Sequence, residues 1–314
     1  MISAIVVTHV GGDRLRRCVD SLEGVDELLV VVSAEAGTCD IEGVEGVVDL
    51  GENVRFAKAS NAGFKQASGD WLLLLNDDTC AREGFADALR CAVEPGIYQP
   101  RILLADGSGR LDNVGHGLFP DGFNWAHGRE DDDGPEYAMA GEVGACSGAA
   151  MLIHRRVLET VGDFDEDLEA FGEDVDLSLR AWRAGFPLRR LPEAVIEHEL
   201  GGSYGRYGAD KVFLVERNRV LLALRNLPIG ALLTMPLWTT LRLAGLSAAA
   251  LAGRGWSAKV PPGTRRAALR GMTAGLAAAG PALEKRRADT WVRSDRETWA
   301  HLWRNRVRVR DVVR

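Results

Sequence analysis

Apolar runs alternate with amphipathic segments along the N-terminal part of the chain. The run Ile2–Val7 is typical of a buried strand, and Leu15, Cys18, Val19 and Leu22 then follow with the i, i+3, i+4, i+7 spacing of one helix face. Repetition of this pattern predicts strands at 2–7, 28–32 and 44–50 and helices at 15–22 and 56–68. Strands that alternate with helices favour an α/β domain with a mostly parallel sheet and right-handed crossovers.

The central strand of this sheet is predicted at Trp71–Leu75, a run of five apolar residues that is followed by Asn76, Asp77 and Asp78. The run is too short for a free-standing helix and lacks helical periodicity, so a strand buried on both faces is the better interpretation. Ligands of open α/β sheets bind beyond the carboxyl ends of strands, where these carboxylates would hold Mg²⁺ or Mn²⁺ beside an anionic ligand. The alternative is that the acidic residues only form a turn and cap a helix beginning near Arg82.

Composition limits the class of protein further. The 314 residues are 46% apolar and 26% charged, which is ordinary for a globular protein. Residues 2–8 are apolar but lead into His9 without a basic leader or a cleavage site, so we expect a first strand rather than a signal peptide. The five cysteines show no C-x-x-C spacing, which fits a reducing cytoplasm and argues against structural zinc. No Gly-x-Gly-x-x-Gly turn follows the first strand, which argues against a dinucleotide dehydrogenase.

A second informative block of sequence begins at residue 148. Residues 148–153 are predicted to form a buried strand, and Glu173–Ala184 is predicted to form a helix with three acids in its first turn, among them Asp174 and Asp176. Compensation of the helix dipole would explain acids there in general terms. The last strand of the block, Pro192–His198, places a histidine at its carboxyl end and therefore at the ligand-binding rim.

A long irregular segment separates the two blocks. Residues 97–137 combine short strands with a Gly- and Asp-rich loop at 115–134, and a loop of this length inside a domain is more often functional than idle. His116 and His127 lie in this segment. Lone loop histidines are more often solvated than catalytic, so neither is assigned a role.

Together these motifs resemble a known family of enzymes. Their order and spacing over about residues 1–226 are similar to those of family-2 inverting glycosyltransferases of the GT-A fold, and especially to the rhamnosyltransferase-like branch that builds bacterial envelope glycans. The residues that carry the resemblance are Thr8, Asn53, Asn61–Gly63, Gly69–Thr79, Gly148–Met151, Gly162–Glu166, Gly172–Leu177 and Pro192–His198 with Ser203. The resemblance implies a Rossmann-like sheet flanked by helices, a nucleotide-sugar donor, and a divalent cation, Mg²⁺ or Mn²⁺, as cofactor.

The resemblance also implies roles for individual residues. Asp174 is expected to be the catalytic base, and Asp78 and His198 are expected to bind the metal. Asp77 is expected to matter less than Asp78, because Pro often stands there in relatives, and Arg217 is expected near the diphosphate. The positions expected to contact the donor are Thr8, Ser33, Asn53, Asn61, Asp77 and Arg217.

These residue types suit inversion at an anomeric carbon. A base must take the proton of the acceptor hydroxyl on the face opposite the leaving nucleoside diphosphate, and a Lewis acid must stabilise that leaving group. Asp174 would supply the first and the cation on Asp78 and His198 the second, without a covalent enzyme intermediate. The expected reaction moves a sugar from dTDP-rhamnose or a UDP-sugar to a hydroxyl of an envelope glycan or a polyprenyl-linked acceptor.

Two other functions stay open on the sequence. A sugar-phosphate nucleotidyltransferase would need a Gly-rich, Arg-containing phosphate loop and a nearby Pro-Lys, whereas Gly11–Arg14 matches such a loop only in part and the chain contains no Pro-Lys. A catalytically silent glycan-binding or scaffold protein would lose the metal and base residues, whereas Asp78, Asp174 and His198 are all present. Ser-Ala at 33–34 stands where relatives usually carry Asp-Asn, so the nucleobase is not assigned.

Charge divides the chain into two parts. Residues 254–314 carry 15 Lys and Arg against 5 Asp and Glu, a net charge of +10, and the total of −7 therefore leaves −17 for residues 1–253. The acidic part argues against nucleic acid as a partner, and the basic part suits an anionic membrane surface. We expect a glycosyltransferase domain at residues 1–226 and a helical, basic extension at residues 227–314.

The extension begins with a strongly apolar stretch at residues 229–252 that Pro236 and Arg242 interrupt. We expect amphipathic helices that lie in the membrane plane, at the cytoplasmic face of the cell membrane. A membrane-spanning helix and a helical lid for homo-oligomerisation are the alternatives. The side chains expected at lipid headgroups or at the interface are Arg254, Arg265, Arg266, Arg270, Lys285, Arg286, Arg287, Trp256 and Trp291.

Overall fold

The computed structural model describes residues 1–36, 46–199, 208–253 and 263–312. Expectations for Ser203, Arg254 and Trp256 lie outside the described residues. The strands are β1 (Ile2–Thr8), β2 (Glu27–Val32), β3 (Val47–Asp49), β4 (Trp71–Asn76), β5 (Thr79–Ala81), β6 (Ile97–Leu104), β7 (Leu111–Asn113), β8 (His116–Leu118), β9 (Asn124–Ala126), β10 (Ala150–His154) and β11 (Leu188–His198). The helices are α1 (Gly12–Asp20), α2 (Arg55–Gln66), α3 (Phe85–Leu89), α4 (Arg155–Val161), α5 (Glu173–Arg183), α6 (Ala209–Asn226), α7 (Ile229–Leu251), α8 (Thr264–Ala277), α9 (Ala279–Ala288), α10 (Asp295–Arg304) and α11 (Val309–Val312).

The main sheet has the strand order β3-β2-β1-β4-β10-β6-β11-β5, and β7 pairs with β6. Strands β3, β2, β1 and β4 pair in parallel, as the alternation of strands and helices predicts. Strand β10 is antiparallel to both β4 and β6, β11 is parallel to β6, and β5 is antiparallel to β11. The predicted α/β sheet flanked by helices is confirmed, but the sheet is mixed beyond β4. Of the added strands, β10 is reached through an irregular segment, whereas β6 follows α3 and β11 follows α5.

Strand β4 is the centre of the core, as its sequence predicts. Leu72, Leu73, Leu74 and Leu75 are each 0% exposed. Leu73 and Leu75 pack on the side of the sheet that α1 and α3 cover, while Leu72 and Leu74 pack on the side that α2, α4 and α5 cover. Because successive residues of a strand face opposite sides, an unbroken apolar run is what a strand covered on both faces requires.

The residues after β4 form a turn, but they do not cap a helix. Thr79 begins β5, and the next helix starts only at Phe85, with Gly84 at its N-cap position. The alternative that the acidic residues cap a helix near Arg82 is therefore wrong. The turn instead carries the chain from the end of β4 directly into a strand that pairs with β11.

The C-terminal extension folds back on the domain. Helix α8 packs on α6 through Gly271 and Gly275. A Cβ at these positions would lie 2.4 Å from the carbonyl oxygen of Phe213 and 2.7 Å from that of Arg217, respectively. Only glycine permits so close an approach of two helix backbones.

Helix α7 is long and apolar enough to cross a membrane on length and composition alone, with a mean hydropathy of 1.3 in its most apolar window. Only 11% of that window is buried within the protein. Arg242 of α7 is nevertheless 2% exposed, and it forms ion pairs with Asp121 at 2.9 Å and with Glu216 at 2.8 Å. Helix α7 is thus attached to the domain by buried charges.

Part of the basic extension is bound to protein. Lys285 pairs with Asp165 at 2.5 Å and with Asp167 at 2.6 Å. Arg286 donates hydrogen bonds to backbone carbonyls at the end of α6, and arginine guanidinium groups pack on the ring of Trp291. Groups of the protein thus already bind Lys285, Arg286 and Trp291, and the lipid contacts of these side chains stay predictions.

Candidate active site

Strand pairing brings Asp78 beside His198. Strands β5 and β11 place Thr79 opposite His198, so the residue before Thr79 reaches the same end of the sheet. Asp78 Oδ1 lies 3.2 Å from His198 Nε2, and the two side chains are 10% and 12% exposed. Within the described part of the chain, Asp78 Oδ1 accepts no well-aligned hydrogen bond. The two predicted metal ligands are thus adjacent, and the contact between them is not a well-aligned hydrogen bond.

Asp112 holds the other nitrogen of the His198 ring. Its Oδ2 lies 2.7 Å from His198 Nδ1, and its Oδ1 accepts a hydrogen bond from Arg129 at 3.1 Å. Burial would lower the pKa of His198, but the interactions with Asp112 and Asp78 outweigh it and raise the pKa to about 10. Burial would raise the pKa of Asp112, but His198 and Arg129 keep it below its usual value. The ring is therefore held between two carboxylates, one at each nitrogen.

Asp174 lies in the first turn of α5, where two backbone N–H groups fix its carboxylate. Oδ2 accepts from Gly148 N at 2.8 Å, and Oδ1 accepts from Val175 N at 2.7 Å. A Cβ at residue 148 would lie 3.4 Å from the Asp174 Cβ and 3.3 Å from the ring of Phe56, so the site favours glycine at that position. The Asp174 side chain is 14% exposed, so it is held in place yet reachable from solvent.

The pairing of β10 with β4 places Asp174 at the edge of the sheet that carries Asp78, which we call the rim. Strand β10 lies beside β4, and Asn76 N donates to the carbonyl oxygen of Ala149 at 3.1 Å. Gly148, which binds Asp174, therefore neighbours the turn that follows β4. The structure brings the predicted base and the predicted metal ligands to one edge of the sheet.

The three acids at the start of α5 have different environments. Glu173 is 4% exposed, and burial, together with the neighbouring Asp174 charge, raises its pKa well above the usual value. Asp176 is buried, but it pairs with Arg180 at 2.8 Å and Arg225 at 3.4 Å, which keep its pKa below the usual value against the effect of burial. Among the described residues, Asp174 has neither an arginine nor a lysine partner. It is the acid of this turn that is left to act on a ligand.

His116, which the sequence left unassigned, lies beside Asp174. Its Nε2 is 3.9 Å from Asp174 Oδ2 and 3.1 Å from Asn113 Nδ2. Because Asn113 Oδ1 accepts from Gly115 N at 2.7 Å, the Asn113 NH₂ group faces the ring and His116 Nε2 accepts from it. Burial lowers the pKa of His116 despite the nearby Asp174 and Asp112 carboxylates, so the ring is neutral at neutral pH.

Three of the residues expected to contact the donor are bound to one another or to the backbone near the strand ends. Thr8 donates to Asp77 Oδ2 at 2.5 Å, and Arg14 pairs with Asp77 Oδ1 at 2.9 Å. Burial raises the pKa of Asp77 against the effects of Thr8 and Arg14. Ser33 Oγ accepts from Val54 N at 3.0 Å. The donor contacts of these residues stay predictions.

The other expected donor contacts are more dispersed. Asn53 is exposed near the start of α2. Asn61 is buried, and its side-chain amide exchanges two hydrogen bonds of 3.0 Å with the backbone of Phe164. Arg217 pairs with Glu169 at 3.3 Å. The structure does not bring Asn61 to the rim, since its amide ties α2 to the segment that precedes α5.

Comparison with known proteins decides the family. The family model described as "Glycosyltransferase like family 2" matches residues 1–212, which is more than half of the chain. The chain belongs to this family. It is a glycosyltransferase, as the motifs predict. The specific rhamnosyltransferase-like branch stays a prediction.

Relatives of this glycosyltransferase occur in mycobacteria. An uncharacterised protein of Mycobacterium tuberculosis (strain H37Rv) is 30% identical over 205 residues, which cover 61% of this chain and 68% of the relative. The N-acetylglucosaminyl-diphospho-decaprenol L-rhamnosyltransferase of M. tuberculosis is 27% identical over 244 residues, 66% of this chain and 78% of the relative. The pre-mycofactocin glycosyltransferase of the same species is 27% identical over 212 residues, 63% of this chain and 42% of the relative.

Solved structures show the fold of this glycosyltransferase. S. aureus TarS 1-349 in complex with UDP-GlcNAc superposes with a TM-score of 0.54 at 13% identity, over 96% of this chain and 90% of that chain. GalNAc-T7 with UDP, GalNAc and Mn²⁺ superposes with a TM-score of 0.52 at 16% identity, over 72% of this chain and 50% of that chain. The predicted GT-A fold is confirmed.

The residues of the glycosyltransferase rim fit a hard divalent cation. Asp78 Oδ1 is buried without a well-aligned donor and lies next to an imidazole nitrogen, and this carboxylate–imidazole pair is a donor set that suits Mn²⁺ or Mg²⁺. Among the described residues, no group of three or more His, Cys, Asp or Glu side chains converges as a complete metal site. Asp78 and His198 would therefore hold the cation, and diphosphate and water oxygens would complete its coordination.

Sequence reasoning missed Asp112, and it left His116 without a role. Both belong to the irregular segment between the two sequence blocks, and their positions depend on the antiparallel pairing of β7 with β6 and of β8 with β9. The one available signal was the length of the loop, which indicates function without indicating which side chain provides it.

Proposed function

We propose that this glycosyltransferase is inverting and metal-dependent, and that it moves a sugar from a nucleoside diphosphate to a hydroxyl of an envelope glycan or a lipid-linked acceptor. The main support for the proposal is that Asp174, Asp78 and His198 lie at the same edge of the sheet. Asp174 is fixed by two backbone N–H groups at the same sheet edge as Asp78 and His198. Inversion needs a base and a group that stabilises the leaving diphosphate around one anomeric carbon, and this rim offers both.

Asp174 acts on the acceptor in this proposal. Its carboxylate takes the hydroxyl proton while the hydroxyl oxygen forms a bond to the anomeric carbon. The bond from that carbon to the diphosphate oxygen breaks, and its electron pair leaves with the nucleoside diphosphate. A divalent cation bound at Asp78 and His198 would neutralise charge on that leaving group. Attack and departure on opposite faces invert the configuration.

Donor and acceptor are inferred from the nature of the relatives. The decaprenol-linked acceptor in the name of the rhamnosyltransferase relative supports a polyprenyl-linked acceptor here, with dTDP-rhamnose or a UDP-sugar as donor. The test is a panel of nucleotide sugars with Mn²⁺ and a polyprenyl-linked acceptor. The expected result is release of nucleoside diphosphate together with a glycosylated acceptor of inverted configuration. Release of pyrophosphate, or a retained configuration, would contradict the proposal.

The C-terminal extension supports a location at the cytoplasmic face of the cell membrane. Residues 217–283 contain no Asp or Glu. Helix α7 exposes apolar side chains four residues apart, and α8 exposes leucines beside arginines. These side chains are Ile229, Leu233, Leu237 and Leu241 on α7, and Arg265, Arg266, Leu269, Arg270 and Leu276 on α8. The buried ion pairs of Arg242 favour a helix that lies in the membrane plane over one that spans the membrane.

The membrane location is tested with vesicles of anionic or neutral phospholipid. The full-length protein should bind anionic vesicles, and added salt should weaken binding because screening reduces the attraction between arginines and headgroups. The double variant Leu233→Ser/Leu237→Ser should bind more weakly. Val93→Ser is the matched control, because Val93 is 88% exposed on the catalytic domain. Equal binding by all three proteins would contradict the proposed surface.

A further inference from the structure

Asp112 is a buried carboxylate that the proposed reaction does not use. It lies on β7, is 4% exposed, and reaches the rim from a position 86 residues before His198. One of its oxygens lies 2.7 Å from His198 Nδ1, and the other accepts from Arg129 at 3.1 Å. With both oxygens engaged, the carboxylate has little freedom to rotate away from the ring.

This contact bears on how His198 presents its second nitrogen. A neutral imidazole carries one proton, and the nitrogen that carries it cannot bind a metal. A hydrogen bond from Nδ1–H to a carboxylate keeps that proton on Nδ1, so a bound cation would displace the proton of Nε2, the nitrogen that lies 3.2 Å from Asp78 Oδ1. Without the carboxylate, either nitrogen could carry the proton and the ring could rotate.

We propose that Asp112 is a positioning residue, which orients the His198 imidazole and fixes its proton on Nδ1 so that Nε2 faces a divalent cation beside Asp78. The inference rests on the proposed metal site. Arg129 supports Asp112 by holding its second oxygen. The segment that carries Asp112 therefore contributes to metal affinity without supplying a metal ligand.

Asp121 offers a matched control from the same irregular segment. It is 0% exposed, and it pairs with Arg242 at 2.9 Å and Arg219 at 3.5 Å. Replacing either Asp121 or Asp112 removes a buried carboxylate from an arginine partner. Only Asp112 contacts a predicted metal ligand, so a change in metal binding that is limited to Asp112 variants separates positioning from general loss of stability.

The experiment measures binding of Mn²⁺ alone to full-length protein, from the electron paramagnetic resonance signal of free Mn²⁺. Asp112→Ala and Asp112→Asn should bind Mn²⁺ about 10- to 100-fold more weakly than wild type, the usual cost of losing such a supporting partner. His198→Ala should bind at least as weakly. Asp121→Asn should keep wild-type Mn²⁺ affinity although it unfolds at a lower temperature.

A second measurement does not involve metal. In metal-free protein with ¹⁵N-labelled histidine, the hydrogen-bonded Nδ1 proton of His198 should give a low-field resonance in wild type and in Asp121→Asn. The resonance should be absent from Asp112→Ala and from His198→Ala. Thermal unfolding of each variant verifies that it is folded under the conditions of the measurement.

Two outcomes would overturn the inference in different ways. If both Asp112 variants bind Mn²⁺ as wild type does while His198→Ala does not, Asp112 serves only as the partner of Arg129, and the proposed metal site stands. If His198→Ala also binds Mn²⁺ as wild type does, the metal role of His198 and the positioning role of Asp112 are both wrong.

Discussion

Two clusters of buried charge in this glycosyltransferase differ in whether their members satisfy one another. The rim cluster consists of Asp78, Asp112, Asp174 and His198, and the α7 cluster consists of Asp121, Glu216, Arg219 and Arg242. In the α7 cluster, Arg242 binds both acids, Arg219 binds Glu216 at 2.8 Å, and two positive charges balance two negative ones. All four side chains are at most 5% exposed.

The rim cluster is not balanced in this way. Two of its three carboxylates, Asp78 and Asp112, face the His198 imidazole, and Arg129 pairs with Asp112 alone. Among the described residues, Asp174 has no arginine or lysine partner and Asp78 Oδ1 has no well-aligned donor. A buried acceptor without a well-aligned donor is costly, so such an atom is a candidate to bind a ligand. The charges of the α7 cluster are thus paired with one another, whereas the rim cluster leaves a carboxylate oxygen available to a ligand.

The largest expected effect follows from removing Asp78, whose Oδ1 has no well-aligned donor among the described residues. Asp78→Ala should reduce donor binding and turnover to background, because no other rim residue replaces its contact with the cation. Turnover with the active nucleotide sugar, with and without chelator, measures the effect. Asp77→Ala should be milder in activity, since the partners of Asp77 are Thr8 and Arg14. A chelator-insensitive Asp78→Ala enzyme with wild-type turnover would contradict the rim assignment.

The next effect concerns the base. Asp174→Asn removes basicity and should lower turnover by roughly 10²–10⁴ while donor affinity changes only a few-fold. Asp176→Asn is the control within the same helical turn. It breaks buried pairs with Arg180 and Arg225 and should lower stability more than turnover. Normal turnover by Asp174→Asn together with an inactive Asp176→Asn would reverse the assignment.

The fold was largely predictable because its central elements follow regular patterns. The run Trp71–Leu75 specified a doubly covered strand, and the periodicity from Glu173 to Ala184 matches α5 within one residue. The segment from Leu111 to Leu118 shows neither strand nor helix periodicity. Its position in the fold depends on the pairing of β7 with β6 and of β8 with β9. Long-range pairing of short strands leaves little trace in local sequence.

The positions of the candidate site residues were predictable only where these residues lie at strand or helix ends, and their roles stay predictions. Asp78, His198 and Asp174 stand at such ends, so topology alone places them on one rim. Asp112 could not be found in this way, since its place beside His198 depends on a contact between residues 86 positions apart in the chain. The same limit applies to Lys285. Its charge led to the prediction of a contact with lipid headgroups, whereas the structure pairs it with Asp165 and Asp167 of the domain.

Disruption of the α7 cluster should change the stability of the protein rather than its catalytic activity. Arg242→Met leaves Asp121 and Glu216 as buried, poorly compensated carboxylates, and it should lower the free energy of unfolding by about 3–5 kcal/mol. Arg266→Met is the control, because Arg266 is exposed on α8 and its loss should cost no more than about 0.5 kcal/mol. Denaturant unfolding measures both. Equal stability of the two variants would show that the buried pairs do not attach α7.

The smallest effect on turnover is expected at Glu173, and it sharpens the comparison within a single helical turn. Glu173 precedes Asp174, but burial and the neighbouring Asp174 charge raise its pKa well above the usual value and so favour its protonated form. Glu173→Gln mimics the protonated acid with a neutral amide of similar shape. Turnover at pH 7 should stay within a few-fold of wild type, in contrast to the loss expected for Asp174→Asn.

The raised pKa of Glu173 also predicts how the stabilities of wild type and Glu173→Gln should differ as pH changes. Above about pH 4.5 the unfolded chain releases the Glu173 proton while the folded protein keeps it, so unfolding is increasingly favoured as pH rises towards the folded pKa. Gln at position 173 does not titrate, so Glu173→Gln lacks this loss of stability with rising pH. The melting temperature of Glu173→Gln relative to wild type should therefore rise between pH 4.5 and pH 7. A difference that is constant over this range would show that Glu173 is ionised in the folded protein, and Glu173 would then compete with Asp174 as the base.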